Sequence, residues 1–285
     1  MKYKRMILWV PLIFVFICGV FAMILLQDQY ATGKETYDEA LQLADGTIAP
    51  AQTTAPQTDT TAATQTVPQT TAPETVPEPT EPPPIEDENA EFLLGLDLQS
   101  LQDVNPEVLG WIYLPGTAIS YPLLQHEDNG YYTDHTWDGQ HNYTGAIFME
   151  SLNSPNFHDF NTILYGHNLK NGEMFTDLDK YRVDGYLEDH PYVYIVDDRG
   201  SFRYQIFAAY EVSVTDAAYT LGLRTETGKQ NYIDECLRKS QIDTDVVLTA
   251  SDFILTLSTC TVIDSNTRWI VQAKLDGPIC IPESE

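Results

Sequence analysis

Three residues in this sequence have the types and spacing of a reactive site. Cys260 closes the run DFILTLSTC, Arg268 opens RWIVQAKL eight positions later, and His167 closes NTILYGH 93 positions before the cysteine. A thiol becomes a nucleophile when a histidine can exchange its proton and a nearby cation favours the thiolate. The chemistry open to such a set is acyl transfer through a thioester. Strand alternation says where Cys260 points. Along DFILTLSTC, Phe253, Leu255 and Leu257 share one face, while Thr256, Ser258 and Cys260 share the other. The apolar set is the natural interior, so the thiol faces outward with two hydroxyls. In the next run Trp269, Val271, Ala273 and Leu275 take the inner face, leaving Arg268, Ile270, Gln272 and Lys274 outside. With TVIDSNT as the connecting loop, Cys260 and Arg268 flank it on one outer surface.

The other histidines and cysteines offer less. His126, His135, His141 and His158 lie in polar, turn-rich stretches and His190 precedes a proline, so all five read as surface residues. Cys18 lies inside an apolar N-terminal run. Cys236 falls on the apolar stripe of an amphipathic segment, where a buried structural thiol is the default. Cys280 sits in a Pro-rich tail, and a Cys236–Cys280 disulfide stays open in an oxidising compartment. His/Cys spacing of a metal-ligand kind is absent, so no metal is expected.

The elements that must position these residues are mostly strands. GWIYLPGTAISYPLLQ, TGAIFME, NTILYGHN, PYVYIVDD and SFRYQIFAAYEV, with the two runs above, give seven or eight short strands broken by turn residues. That pattern reads as a mainly β chain, a closed barrel or a sandwich. One or two short helices precede it in EDENAEFLLGLDLQSLQDVNPEVLG. Two helical insertions interrupt it: GEMFTDLDKY, with Met174, Phe175, Leu178 and Tyr181 on one face, and NYIDECLRKS, with Tyr232, Ile233, Cys236 and Leu237 on one face.

Lys2, Lys4 and Arg5 precede an uncharged, mostly apolar run from Met6 to Leu26. Those residues at 1.5 Å rise cover about 30 Å, enough to cross a bilayer, and the basic flank predicts the N-terminus inside. Phe21-Ala22-Met23 is a poor cleavage site, so an uncleaved anchor is expected over a signal peptide. YDEALQLA then reads as one or two helical turns. The following stretch is dominated by Thr, Pro, Ala and Gln and has almost no large apolar residue, so it reads as a disordered spacer holding the domain at a distance from the membrane. The expected organisation is an anchor over 1–27, a juxtamembrane segment and linker over 28–85, and a folded domain over 86–285. With 42 acidic against 15 basic residues, nucleic acid is excluded as a partner on charge.

TLSTC with a downstream Arg and YGHN upstream resembles the sortases of Gram-positive bacteria over roughly residues 90–280. YGHNLKNGEMF around the histidine, the GWIYLPGTAISYPLLQ entry and the helix before the cysteine strand are similar to class B. The short Cys-to-Arg loop departs from class A, and the Thr/Pro linker is longer than such enzymes need. The resemblance implies a closed eight-stranded β-barrel with N-terminal helices and a helix inserted before the cysteine strand. It implies Cys260 as nucleophile, His167 as general acid/base and Arg268 as oxyanion or substrate stabiliser, with Ser258 and Thr259 as substrate contacts. It further implies a membrane-anchored transpeptidase, without cofactor, acting on surface-protein precursors with a C-terminal signal of LPxTG or NPxTN type. The acceptor would be an amine of a peptidoglycan precursor. An exported cysteine hydrolase, an L,D-transpeptidase (whose SxGC-like signature lacks its glycine here), a pilus-polymerising variant and a non-catalytic adhesin are the competing readings.

Overall fold

In the computed structural model the described residues are 2–48, 83–260 and 266–282, with side chains described from Phe14 onward except that of Cys260. In chain order the elements are α1 (Lys2–Ala44), β1 (Ile85–Glu86), α2 (Ala90–Leu94), α3 (Leu98–Gln102), β2 (Val108–Tyr113), β3 (Ser120–Leu124), β4 (Ile147–Met149), β5 (Asn161–Gly166), α4 (Tyr186–Asp189), β6 (Tyr192–Asp197), β7 (Gly200–Ser213), α5 (Glu226–Lys239), β8 (Ile254–Cys260) and β9 (Thr267–Cys280). Hydrogen bonding runs β9-β7-β6-β2-β3-β4-β5-β8 and returns from β8 to β9, which closes eight strands into a barrel. The β3–β4 and β5–β8 pairs are parallel, and the other barrel pairs are antiparallel. The short β1 adds a parallel edge to the end of β9, through Ile85 opposite Ile279 and Glu86 opposite Cys280. Cys280 therefore ends a strand, not a Pro-rich tail, and it and Cys236 are both free thiols.

The alternation read from the sequence holds on both sides of the wall. Leu255, Leu257, Trp269, Val271 and Ala273 are buried in the barrel core with Ile112, Leu164 and Ile195. Each such side chain removed from water contributes about 1.5–3 kcal/mol. The opposite face is not open along its whole length. Ile254, Ile270, Phe207 and Tyr210 are covered by Tyr232, Ile233 and Cys236 of α5 in a second cluster, and Thr256 and Gln272 are fully buried beneath it. The outward row expected to meet solvent is thus largely a second core. Leu237, expected on the buried stripe, is 40% exposed, because only one side of α5 reaches the barrel.

The GEMFTDLDKY insertion forms a 3-10 helix over Thr176–Arg182 rather than an α-helix. Phe175, Leu178 and Tyr181 recur every three residues, which is the period of that tighter helix, and all three are buried. Met174 at φ 56° breaks any earlier helical start, and its N–H donates to the Tyr121 hydroxyl.

The segment expected to stand off the domain does the reverse at its beginning. α1 continues unbroken through Ala44 instead of giving one or two turns, and Tyr37, Ala40, Leu43 and Ala44 are buried against the barrel's N-terminal side. The Ala44 carbonyl accepts from Asp97 N–H at 2.7 Å. Tyr30, Gly33, Tyr37, Ala40 and Ala44 follow a 3-4-3-4 spacing, the stripe of a helix packed along its length. The Thr/Pro-rich linker, 49–82, lies outside the described residues. Its flanks, Ile48 and Ile85, are both held at the domain, so it does not separate α1 from the barrel.

Candidate active site

β5, β8 and β9 lie side by side, and their register assembles the site. Gly166 is the Cα partner of Thr259, so His167 follows the last rung of the β5–β8 ladder. Cys260 is the Cα partner of Arg268 in the β8–β9 ladder. The three residues singled out from the sequence thus come to the same ends of three adjacent strands. His167 and Arg268 line one open cleft of about 330 Å³, together with Ser258, Tyr165, Tyr219 and Asn129. Thr133, Phe148, Gly166 and Val214 complete its wall.

His167 is held from several directions. Gly166 lets Ile147 and Phe175 pack against the backbone beside the histidine, since a Cβ there would stand 2.5 Å from Ile147 Cδ1 and 2.7 Å from Phe175 Cγ. The N–H of Phe175 donates to the His167 carbonyl at 2.9 Å. His167 Nε2 lies 2.6 Å from the Thr133 carbonyl. A carbonyl only accepts, so Nε2 carries the proton of the neutral ring, which leaves Nδ1 as the nitrogen with a free lone pair. Tyr143 stacks on the imidazole at 6.2 Å between centroids and 11° between planes.

Beside the histidine, a buried carboxylate orders the wall. Glu150 accepts from Asn129 Nδ2 at 2.8 and 2.7 Å and from the Tyr165 hydroxyl at 2.9 Å. Burial pushes the Glu150 carboxyl up, but hydrogen bonds from Asn129, Tyr165, Leu152 N–H and Ser151 outweigh it and hold the group below its ordinary range. Burial and the adjacent Glu150 charge push the Tyr165 phenol well up, so it stays a neutral donor.

Ser258 does line the cleft, but it is only 2% exposed and its hydroxyl pairs with the Tyr219 hydroxyl at 2.8 Å. Thr259 is not brought to the cleft. Strand alternation turns it inward, where it is 1% exposed and its Oγ1 has no hydrogen-bond partner among the described residues. Arg268 Nη1 donates to the Thr267 carbonyl at 2.9 Å. The sequence reading missed Asn129, Thr133, Tyr165 and Tyr219. Tyr165 was accessible to it, being two residues from His167 on the same face; Asn129 sits in a loop and Thr133 and Tyr219 end single-turn 3-10 helices, too short for any period to point to a cleft. Of the remaining histidines, His141 and His158 are exposed as expected, while His126 and His135, stacked on Tyr131, and His190, stacked on Tyr186, are half-buried.

With this geometry in hand, comparison with known proteins is specific. A sortase-domain family model matches residues 112–276. Sortase B of Staphylococcus aureus is 35% identical over 179 residues, spanning 62% of this chain and 73% of that protein. Sortase B of Listeria monocytogenes is 36% identical over 185 residues, spanning 63% of this chain and 74% of that protein. Among solved structures, a Staphylococcus aureus sortase B–substrate complex aligns with a TM-score of 0.60 at 34% identity, covering 63% of this chain and 84% of that one. Sortase B from B. anthracis, in complex with AAEK1, aligns with a TM-score of 0.65 over 88% of this chain and all of that one, and at 24% identity this supports the shared fold alone. A closed eight-stranded barrel and a match over more than half the sequence lead to one conclusion: the chain belongs to the sortase family of cysteine transpeptidases and is most like its class B members.

Proposed function

We propose that this sortase is anchored in the cytoplasmic membrane by residues 6–26, with its barrel outside. There it cuts the C-terminal sorting signal of surface-protein precursors after Thr and joins the new C-terminus to a peptidoglycan amine. The observation that carries the reading is the convergence of three strand ends, with His167 and Arg268 on one cleft and Cys260 in register with Arg268. Among the described residues one helix, near the N-terminus, is long and apolar enough to span a bilayer, and its side chains over 14–26 are exposed. Leu26 and Tyr37 are about 16 Å apart along the helix axis, so the barrel sits at the membrane surface rather than at the end of a stalk.

In this mechanism the Cys260 thiol passes its proton to His167 Nδ1, and the resulting thiolate attacks the carbonyl carbon of the signal's Thr, forming a C–S bond and a tetrahedral oxyanion. Arg268 stabilises that oxyanion or the adjoining substrate backbone through its forked donors. As the C–N bond breaks, His167 gives its Nδ1 proton to the departing amine. An incoming amine, losing its proton to His167, then attacks the thioester; the C–S bond breaks and the thiol is regenerated. Asn129 and Tyr165, fixed by Glu150, order the polar wall of the cleft; with its proton held by Glu150, the Tyr165 hydroxyl offers its oxygen as an acceptor to the peptide, and Ser258 adds its hydroxyl through Tyr219. Sorting peptides of LPxTG and NPxTN type, incubated with the full chain and an amine, test the reading by mass spectrometry. The expected product is the exchanged amide, formed faster than the hydrolysed acid. Hydrolysis at the same rate with and without amine would identify an exported hydrolase instead.

A further inference from the structure

The helix that carries the apolar span is also joined to the loop that holds His167. Gln29 takes two hydrogen bonds from this loop, one from Asn142 Nδ2 to its carbonyl at 3.1 Å and one from Tyr143 N–H to its Oε1 at 3.2 Å. Tyr30 meets the Tyr143 ring edge-on at 6.2 Å. Gly33 lies so close to Thr144 that a Cβ would stand 2.2 Å from Thr144 Oγ1. The Tyr37 hydroxyl donates to the Gly145 carbonyl at 2.6 Å, and Trp137 Nε1 to the Thr36 carbonyl at 2.9 Å.

The same loop touches the histidine at three points. The Tyr143 ring lies parallel to the imidazole, and the Thr133 carbonyl takes the Nε2 proton. Gly145, at φ 62°, packs so tightly that a Cβ would be 2.8 Å from His167 Cδ2. No step in this chain of contacts is longer than a ring stack or a hydrogen bond.

The geometry points to residues 29–37 of α1 as a positioning element for His167, acting through the loop 131–145. The docked helix holds Tyr143, Thr133 and Gly145 where they fix the plane of the ring and keep its proton on Nε2. Gly33 and Tyr37 are the positioning residues that make the docking close. Anchoring and catalysis are then coupled: an α1 that cannot dock leaves the cleft present but its histidine loose. This rests on the proton-transfer role given to His167 above.

The test uses the full chain in lipid nanodiscs. Gly33→Leu wedges the helix away from Thr144 without touching His167, Gly33→Ala does so by less, and Tyr37→Phe removes one hydrogen bond. Ala31→Leu, on the exposed side of the same helix, is the control. Active sites are counted by alkylation of Cys260, so rates are expressed per competent molecule. Gly33→Leu is expected to lower kcat about 10- to 100-fold with KM unchanged, since a small misplacement of a catalytic group costs on that order. Gly33→Ala and Tyr37→Phe should lie between it and wild type, and the limbs of the pH–rate profile should move in all three. A helix that only adds stability would lower the melting temperature and leave per-site kcat and the pH profile as in Ala31→Leu; that result overturns the proposal. His167→Ala is run in parallel. If it retains turnover, the reading of the site itself is wrong. If it is inactive while Tyr37→Phe and the folded Gly33 variants match wild type, only the positioning role falls. Should Gly33→Leu fail to fold, Gly33→Ala and Tyr37→Phe decide.

Discussion

The outer faces of β5, β8 and β9 serve two opposite purposes along their length. At one end Asn161, Thr256 and Gln272 form a sealed polar network: Thr256 donates to Asn161 Oδ1 at 2.7 Å, while Gln272 Nε2 donates to Tyr232 and Thr256 at 2.8 and 3.0 Å. Tyr210 completes it by donating to Gln272 Oε1 at 2.9 Å. At the other end, two to four residues further along, the same face carries Tyr165, Ser258 and Arg268 into an open cleft. The residue types do not differ in kind, since hydroxyls, amides and a thiol occur at both. What differs is the cover. α5 lies over the first region and turns its polar groups into a satisfied, buried core; among the described residues no α-helix lies over the second. Cys236 illustrates the sealed case: burial pushes its thiol up, outweighing the neighbouring polar groups of Tyr210, Tyr232 and Gln272, and keeps it inert.

The contrast is broken most sharply at the open end. Cys260→Ala should abolish acyl-enzyme formation, and His167→Ala should nearly do so while leaving the thiol open to a small alkylating reagent. Arg268→Lys keeps the charge but loses the forked donors, and should cost on the order of 10²-fold in kcat, as loss of an oxyanion donor does. All three should leave the melting temperature near wild type. Lysine at 268 with full activity would reduce Arg268 to a distant charge.

At the sealed end the expected effects change sides, from rate to stability. Gln272→Leu strands the Tyr210 hydroxyl at a cost of about 1–3 kcal/mol, while Tyr232 keeps its bond to the Ala218 carbonyl at 2.9 Å. Chemical denaturation should show that loss, with kcat/KM of the folded protein unchanged. A variant that kept its stability but lost turnover would mean that the network belongs to the site.

Glu150 lies at the open end, bonded to Asn129 and Tyr165, and sharpens the comparison through pH. Its folded-state pKa is held down, so its stabilisation is present above the ordinary Glu value of about 4.3 and is lost as pH falls through the lower folded value. The melting temperature should therefore drop in that acid window, and Glu150→Gln should flatten the drop. An unchanged acid limb would show that the carboxylate is not held by Asn129 and Tyr165 as described. The smallest effect is expected of Ser258→Ala. Its hydroxyl is already spent on Tyr219, so turnover should fall by about 0.5–1.5 kcal/mol, one ordinary hydrogen bond, through loosening of Tyr219. Wild-type kinetics with lowered stability would move Ser258 to the sealed side of the boundary.

Much of this was accessible in the sequence itself, because it depends on local periods. Two-residue alternation in DFILTLSTC and RWIVQAKL is a property of extended backbone, so it separated Leu255, Leu257 and Trp269 from Ser258 and Arg268. The turn-bounded runs implied a mainly β chain, and the apolar run after three basic residues implied a candidate span. Tertiary structure alone decided what covers each face. That Thr256 and Gln272 are core while Ser258 borders a cleft depends on where α5 lands, a contact between residues far apart in the chain. That residues 28–44 are part of the domain depends on Tyr37 and Gly33 finding Gly145 and Thr144, more than 100 positions away. A helical stripe in the sequence shows that a helix will pack, but its partner is chosen by the closed barrel, and that choice is what connects the anchor to the histidine.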